Sequence, residues 1–378
     1  MERKKMNKIV SFMTTLALAF FILCPDDAMA QTSNGGDQPD LAIDTATKTQ
    51  VINELLKRLN DSYVFPETAK KMEAAIRDRV SKKEYDQITG SRAFAAKLTE
   101  DLRAVSRDKH LGVRFSPNVI PVRAEKNEPT AEEKENYRKN VSRVNYGFER
   151  VERLQGNIGY IDLRGFTDSE LGAETVSAAM NFVANTDALI FDLRQNGGGS
   201  PEMVQLITSY LFGDKPVHLN SLYWREKDKT EEFWTKPNSV VGKRYEGKDV
   251  YVLTSNRTFS AGEEFTYNLK NLKRATIVGE TTGGGAHPGS TVRLNDHFGA
   301  FVPTGRAINP ISKTNWEGTG VEPDVKVSKE EALKTAHLMA VNKTAEKTSD
   351  AQLKNALKQL TVQLQKELDE MKKTAQTK

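Results

Sequence analysis

Residues Ala188-Leu189-Ile190-Phe191-Asp192-Leu193 run almost unbroken in hydrophobicity toward Asn196-Gly197-Gly198-Gly199. Pro201 then opens a helical pattern carrying Met203, Leu206, Ile207 and Tyr210. A continuous apolar run of this length reads as a strand covered on both faces, as in sheets flanked by crossover helices. The motif repeats along the chain. Residues 157–163, 188–193, 250–254 and 275–279 read as strands, and 170–183, 201–211 and 260–272 as helices. This alternation predicts an α/β core spanning residues 145–328. Residues 286–310, with their Gly and Asn turns, read as hairpin material. Residues 221–244, with Trp224, Phe233 and Trp234, read either as a packed hairpin or as the wall of a cleft.

The flanks differ in character. Between 46 and 115 three apolar stripes recur at helical spacing. They are Val51, Leu55, Leu56, Leu59; then Ala69, Met72, Ala75, Ile76, Val80; then Phe94, Ala95, Leu98, Leu102. They predict a small helical bundle with polar outer faces. Residues 116–144 are punctuated by Pro117, Pro121 and Pro129 and carry a charge run at Glu132-Glu133-Lys134-Glu135. They read as a linker holding a short helix. Residues 329–378 are helical again, with Leu353, Leu357, Leu360, Leu364 and Leu368 on one expected core-facing stripe.

Residues 1–30 have the build of an export signal. Lys4, Lys5 and Lys8 precede the apolar run 9–23, and Ala28-Met29-Ala30 supplies a small-residue cleavage pattern. The run is shorter than the roughly 18–20 residues of a membrane-spanning helix, so cleavage before Gln31 is expected, with no stable membrane span afterwards. Residues 31–45 read as a disordered lead-in. The only cysteine, Cys24, lies in the leader. Chemistry based on a thiol, a disulfide or a zinc thiolate is therefore not expected of the mature chain. The 55 Lys and Arg against 51 Asp and Glu are interspersed rather than clustered, which argues against a nucleic-acid partner. No cofactor or metal is expected.

Four places concentrate polar chemistry. Ser260-Ala261-Gly262-Glu263 stands where a strand and loop give way to a helix, whose free N–H groups can stabilise an oxyanion. Taken alone, Ser260 reads as a helix cap, a role serine fills often, ahead of a nucleophile. The glycine turn 197–199 can bring backbone amides close to a ligand. It lacks the Lys-Ser/Thr of a phosphate loop, and Glu202 stands where the dinucleotide pattern needs its last glycine. Asp108-Lys109-His110-Leu111 holds one of only five histidines. Trp316-Glu317-Gly318-Thr319-Gly320 is a turn carrying a carboxylate.

Taken together and in this order, these segments resemble the tail-specific, or C-terminal processing, family of serine peptidases. The resemblance lies with the branch holding the tricorn core protease and the repeats of interphotoreceptor retinoid-binding protein. Further segments carry it: Leu59-Asn60-Asp61-Ser62-Tyr63-Val64-Phe65-Pro66, Asn145-Tyr146-Gly147-Phe148, and Gly279-Glu280-Thr281-Thr282-Gly283-Gly284.

The resemblance implies a crotonase/Clp-protease-like core. It implies a serine peptidase acting on peptide or protein substrates, with Ser260 as nucleophile, His110 as general base and Glu317 orienting the imidazole. The amides of Ala261 and of Gly198, or else Gly199, would form the oxyanion hole. Many bacterial relatives use a Ser–Lys dyad, but Gly284 stands at the matching position here, which favours His110. His287 is a rival base. Lys109 replaces the serine that precedes the histidine in tricorn-like enzymes. A peptide-binding PDZ module is not expected in residues 116–144. The same fold also serves non-catalytic binding proteins for hydrophobic small molecules, a second reading that the three triad residues disfavour. An ordinary imidazole at His110 would give activity rising through a pKa near roughly 6.5.

Overall fold

The computed structural model describes residues 40–122 and 129–376. The expected signal segment, Cys24 and most of the expected lead-in lie outside the described residues.

Three helices open the described chain: α1 (Thr45–Ser62), α2 (Pro66–Ser81) and α3 (Ser91–Ser106). Asp44 caps the first by accepting the Thr47 N–H at 2.7 Å. Pro66 both ends the extended turn after Tyr63 and takes the first position of α2, where a missing N–H costs nothing. The apolar stripes read from the sequence are buried here, except Val80, which is exposed, and Ala75, which is half-buried. Strand β1 (Gly112–Phe115) follows, and then α4 (Ala131–Arg143), nucleated by a capping box between Thr130 and Glu133.

The core contains β2 (Phe148–Leu154), β3 (Ile158–Leu163), α5 (Ser169–Val183), β4 (Ala188–Asp192) and α6 (Pro201–Ser209). It continues through β5 (His218–Trp224), β6 (Lys229–Trp234), β7 (Asp249–Thr254), α7 (Ala261–Asn271) and β8 (Thr276–Gly279). Strands β9 (Gly289–Arg293), β10 (Phe298–Pro303), β11 (Gly305–Ile308) and β12 (Val325–Lys326) come next. Helices α8 (Lys329–Lys347) and α9 (Ala351–Gln376) close the chain.

The central sheet has the order β12-β8-β7-β4-β3-β2, parallel except for β2. All five residues of β4 are buried, as the unbroken apolar run predicts for a middle strand. Helices α5, α6 and α7 cover one face through Val176, Met203, Ile207 and Phe265. Helices α8 and α9 cover the other through Ala336, Val341, Leu357 and Leu364. The mixed α/β core, the N-terminal helical region and the C-terminal helix expected from the sequence are all present.

Three local features differ from the sequence reading. Strand β2 was not expected, because its Phe-Glu-Arg-Val-Glu-Arg-Leu pattern is mostly polar; as the edge strand it needs to bury little. Leu353 was placed in the core stripe of α9 but is exposed, since the docked part of that helix begins with Leu357. The expected hairpin at 286–310 splits. Its β9–β10 part forms a sheet with β1 and packs Leu294, Phe298 and Ala300 among the N-terminal helices. Its β11 part joins the β5–β6 hairpin instead.

Candidate active site

The parallel strands β4 and β7 are neighbours, with Asp192 opposite Leu253. Their following loops therefore leave the sheet at the same end, where ligand sites of such sheets form. Thr258 Oγ1 donates to the Leu193 carbonyl at 2.7 Å, Ser255 Oγ to that of Arg194 at 2.6 Å, and Phe259 N–H to that of Asn196 at 3.0 Å. These bonds lay the serine loop along the glycine turn.

Ser260 stands before the first residue of α7 at φ 54°, ψ −120°. An ordinary serine cap uses extended backbone with negative φ. A non-glycine residue held here is strained, and such strain gathers at functional sites. Its N–H donates to Glu263 Oε2 at 3.0 Å. A Cβ built on Gly198 would lie 2.7 Å from Ser260 Cβ and 3.1 Å from the Ala261 nitrogen, so only glycine fits against the serine.

The glycine turn alters one expectation. The Gly198 N–H, the first choice as oxyanion donor, is already bonded to Asn196 Oδ1 at 2.9 Å. Ser200 N–H goes to the Phe166 carbonyl. Among the described residues neither the Gly199 nor the Ala261 amide has a hydrogen-bond acceptor.

His110 arrives from the loop between α3 and β1. Its ring lies 4.6 Å from the Phe259 ring, centroid to centroid, and 5.7 Å from that of Phe301. Its Cε1 would be 2.8 Å from a Cβ on Gly285. His110 Nδ1 is buried and has no hydrogen-bond partner. The chain thus brings His110 beside the residue preceding Ser260 but shows no bond from His110 to Ser260 or to Glu317. Bonds of this kind often tighten only around a substrate. Burial pushes the His110 pKa down to about 4, with His287 and Arg103 adding to the drop and Asp108 opposing it. The ring therefore does not have the ordinary imidazole value near 6.5 on which the expected activity limb rests.

Glu317 is held by backbone: Lys109 N–H donates to Oε1 at 3.1 Å and Ala286 N–H to Oε2 at 2.5 Å. Burial raises its pKa, and the nearby Asp108 charge adds to this. One side-chain donor or acceptor atom each from Asp108, His110 and Glu317 lies within 4.8 Å of the other two. Such a knot has the composition of a metal site. However, each oxygen of both carboxylates already accepts at least one N–H, so the arrangement is that of a hydrogen-bond network.

Three buried residues in and around the site had no role in the sequence reading. Asp108, fully buried, accepts the His110 N–H at 3.1 Å, the Tyr63 O–H at 3.0 Å and His287 Nδ1 at 2.8 Å. Burial would raise its pKa, but the bond from His287 and the positive potential of both histidines outweigh that and hold it below the usual value. Glu263 is also fully buried. Beyond the Ser260 N–H it accepts Thr282 Oγ1 at 2.5 Å, Gly284 N–H at 2.6 Å and Gly285 N–H at 2.8 Å. Burial lifts its pKa to about 7 against those four bonds. Asn196 donates to the Leu163 carbonyl at 2.9 Å and orders the glycine turn. A signal for Glu263 exists in the sequence: Ser260-Ala261-Gly262-Glu263 has the spacing of a capping box.

Position 284, where a dyad lysine would stand, is packed against the 318–320 backbone at φ 86°. Lys109 reaches across it, with Nζ 2.5 Å from the Gly283 carbonyl oxygen. The segment 221–244 is in part the β5–β6 hairpin, with Leu222 and Phe233 packed near Trp316. Among the described residues no helix is long and apolar enough to cross a membrane.

Comparison with known proteins fits this arrangement. Residues 157–327 match the peptidase family S41 model, and residues 43–146 match the N-terminal domain of peptidase S41 in eukaryotic IRBP. The chain is 29% identical over 185 residues to the chloroplastic carboxyl-terminal-processing peptidase 1 of Arabidopsis thaliana, covering 48% of this chain and 36% of that protein. It is 26% identical over 181 residues to the carboxy-terminal-processing protease of Bartonella bacilliformis, covering 46% and 40% respectively. The match thus spans well under half the length of these relatives. A crystal structure of a candidate peptidase from Parabacteroides merdae superposes with a TM-score of 0.54 at 18% identity, covering 78% of this chain and 96% of that one. At that identity the likeness concerns the fold alone. The two family matches together take in most of the chain, and the chain belongs to peptidase family S41.

Proposed function

We propose that the chain is an exported serine peptidase, an endopeptidase or oligopeptidase, that works through Ser260, His110 and Glu317. The observation that carries this reading is the strained Ser260 at a helix N-terminus, set against Gly198 with no room for a side chain. Ser260 Oγ attacks the scissile carbonyl while His110 takes its proton, and His110 later gives that proton to the leaving amine. Glu317 orients the imidazole and stabilises its charged form. The amides of Ala261 and Gly199 receive the oxyanion. Water then hydrolyses the acyl-enzyme. Export rests on the leader-like composition of residues 1–30.

The test is labelling of the purified protein by a fluorophosphonate, which reacts only with an activated serine. Labelling is expected in the wild type, absent in Ser260→Ala and strongly slowed in His110→Ala and Glu317→Gln. A folded wild type that does not label overturns the proposal and favours a binding role for the fold.

A further inference from the structure

His287 lies where two buried carboxylates meet. Its Nδ1 is 2.8 Å from Asp108 Oδ2 and 3.5 Å from Glu317 Oε2. Asp108 and Glu317 bring oxygen atoms within 4.8 Å of each other. Both act as acceptors on both oxygens, the pattern of two anions rather than of a carboxylic acid. Two buried carboxylates this close do not both ionise without a compensating positive group. The His287 ring is the group that sits between them, with Nδ1 2.8 Å from Asp108 and 3.5 Å from Glu317.

The remaining charged or titratable groups facing this knot come from every element around it. Tyr63, at the end of α1, donates to Asp108. Arg103 on α3 bonds the Leu111 and Lys109 carbonyls and adds positive potential at Asp108 and Glu317. Lys109 turns its ammonium away to Gly283. His110 is adjacent. The His287 ring packs edge-on against Phe65 at 5.2 Å, and the Arg306 guanidinium lies over the Phe65 ring at 5.5 Å. None of the cations bonds a side-chain oxygen of Asp108 or Glu317; among the described residues His287 alone reaches both.

We infer that His287 is a positioning residue: wedged between Asp108 and Glu317, its imidazole lets the two carboxylates share one small space and so holds Glu317 as an anion beside His110. The site is then two interleaved histidine–carboxylate pairs. His110 works with Glu317, while His287 with Asp108 keeps Glu317 charged. Asp108 also fixes the His110 backbone through its N–H, so one carboxylate sets the place of both histidines. This role differs from that of a rival base, and it rests on the Ser260–His110–Glu317 reading.

The experiment is the pH dependence of fluorophosphonate labelling between pH 3 and 9, in the wild type, His287→Gln, Asp108→Asn and the double variant. In His287→Gln, Glu317 should gain a proton more readily. The acid limb should move up by about one pH unit or more, costing about ten-fold in rate below the limb, with most of the rate recovered above pH 8. Asp108→Asn should move the limb down, and the double variant should return toward the wild type. A limb unmoved in His287→Gln, or a rate equally slow at every pH, overturns the inference. If circular dichroism shows His287→Gln unfolded, Asp108→Asn decides, and an unmoved limb there overturns it. Glu317→Gln separates the two levels. If it labels as fast as wild type, the triad reading itself fails. If it is inactive while His287→Gln behaves as wild type, only the inference fails.

Discussion

The Glu263 carboxylate accepts the N–H of Ser260 at 3.0 Å and so ties the start of α7 to the Gly284-Gly285 segment beside His110. Each of its oxygens has two donors, and at least one donor on each side is a backbone N–H. Glu263→Gln must therefore point an amide N–H at a backbone N–H whichever way it flips. The variant should lose roughly 2–4 kcal/mol of stability, read by urea unfolding, and should label much more slowly. Unchanged stability would show that the turn is held by other contacts.

Glu264, one residue on, gives a pH prediction with a definite sign. Burial raises its pKa from 4.5 to about 8, with the Glu202 charge adding and the Asn220 and Asn268 amides opposing. A carboxyl raised in the folded state is favoured there as the neutral acid. Its penalty begins above the ordinary value and is complete above about pH 8, so stability falls as pH rises through that window. Glu264→Gln should match the wild type near pH 4 and exceed it by about 2 kcal/mol or more at pH 9. Melting curves at the two pH values decide it.

Phe259 shields His110. Removing the ring in Phe259→Ala admits water to the imidazole, so its pKa should climb from about 4 toward the ordinary 6.5. Wild-type labelling should stay nearly flat from about pH 5.5 to 8, and the variant should lose rate below about pH 6.5. A wild-type midpoint at 6.5 would mean that His110 is solvated.

Gly285 leaves no room for a methyl group. A Cβ there would lie 2.2 Å from Phe259 Cζ and 2.8 Å from His110 Cε1. Gly285→Ala should displace both rings and slow labelling by about 100-fold, as ångström-scale misplacement does. Its melting temperature should fall only modestly, because the Phe259 ring can swing aside. An active Gly285→Ala would place the working position of His110 elsewhere.

Much of this arrangement was legible before any coordinates. The apolar run at 188–193 marks a middle strand because a strand covered on both faces tolerates no alternation. Ser260 and the glycine turn are visible because helix starts and tight turns have local signatures. What escaped was what depends on distant partners. The mostly polar edge strand β2 has no local mark. Gly198 looks as good a donor as Gly199 until Asn196 is seen to occupy its N–H. The depressed pKa of His110 depends on Phe259 and Phe301, both remote in sequence, and nothing near Asp108 in the chain announces His287.

The pairing of β1 with β10 has a temporal consequence. The loop bearing His110 is anchored by a strand at residues 112–115 whose partner lies at 298–303. Contacts of such long sequence separation form late, after the loop they close has been ordered. The first three helices can hold the His110 loop locally through Asp108 and Arg103, but β1 gains its strand partner only once β10 is present. Ser260 precedes β10 in the sequence, so the proposed nucleophile and base take their final register only once that strand has paired. The place of the His110 loop in the finished fold thus depends on a ladder between two strands that lie far apart in the sequence.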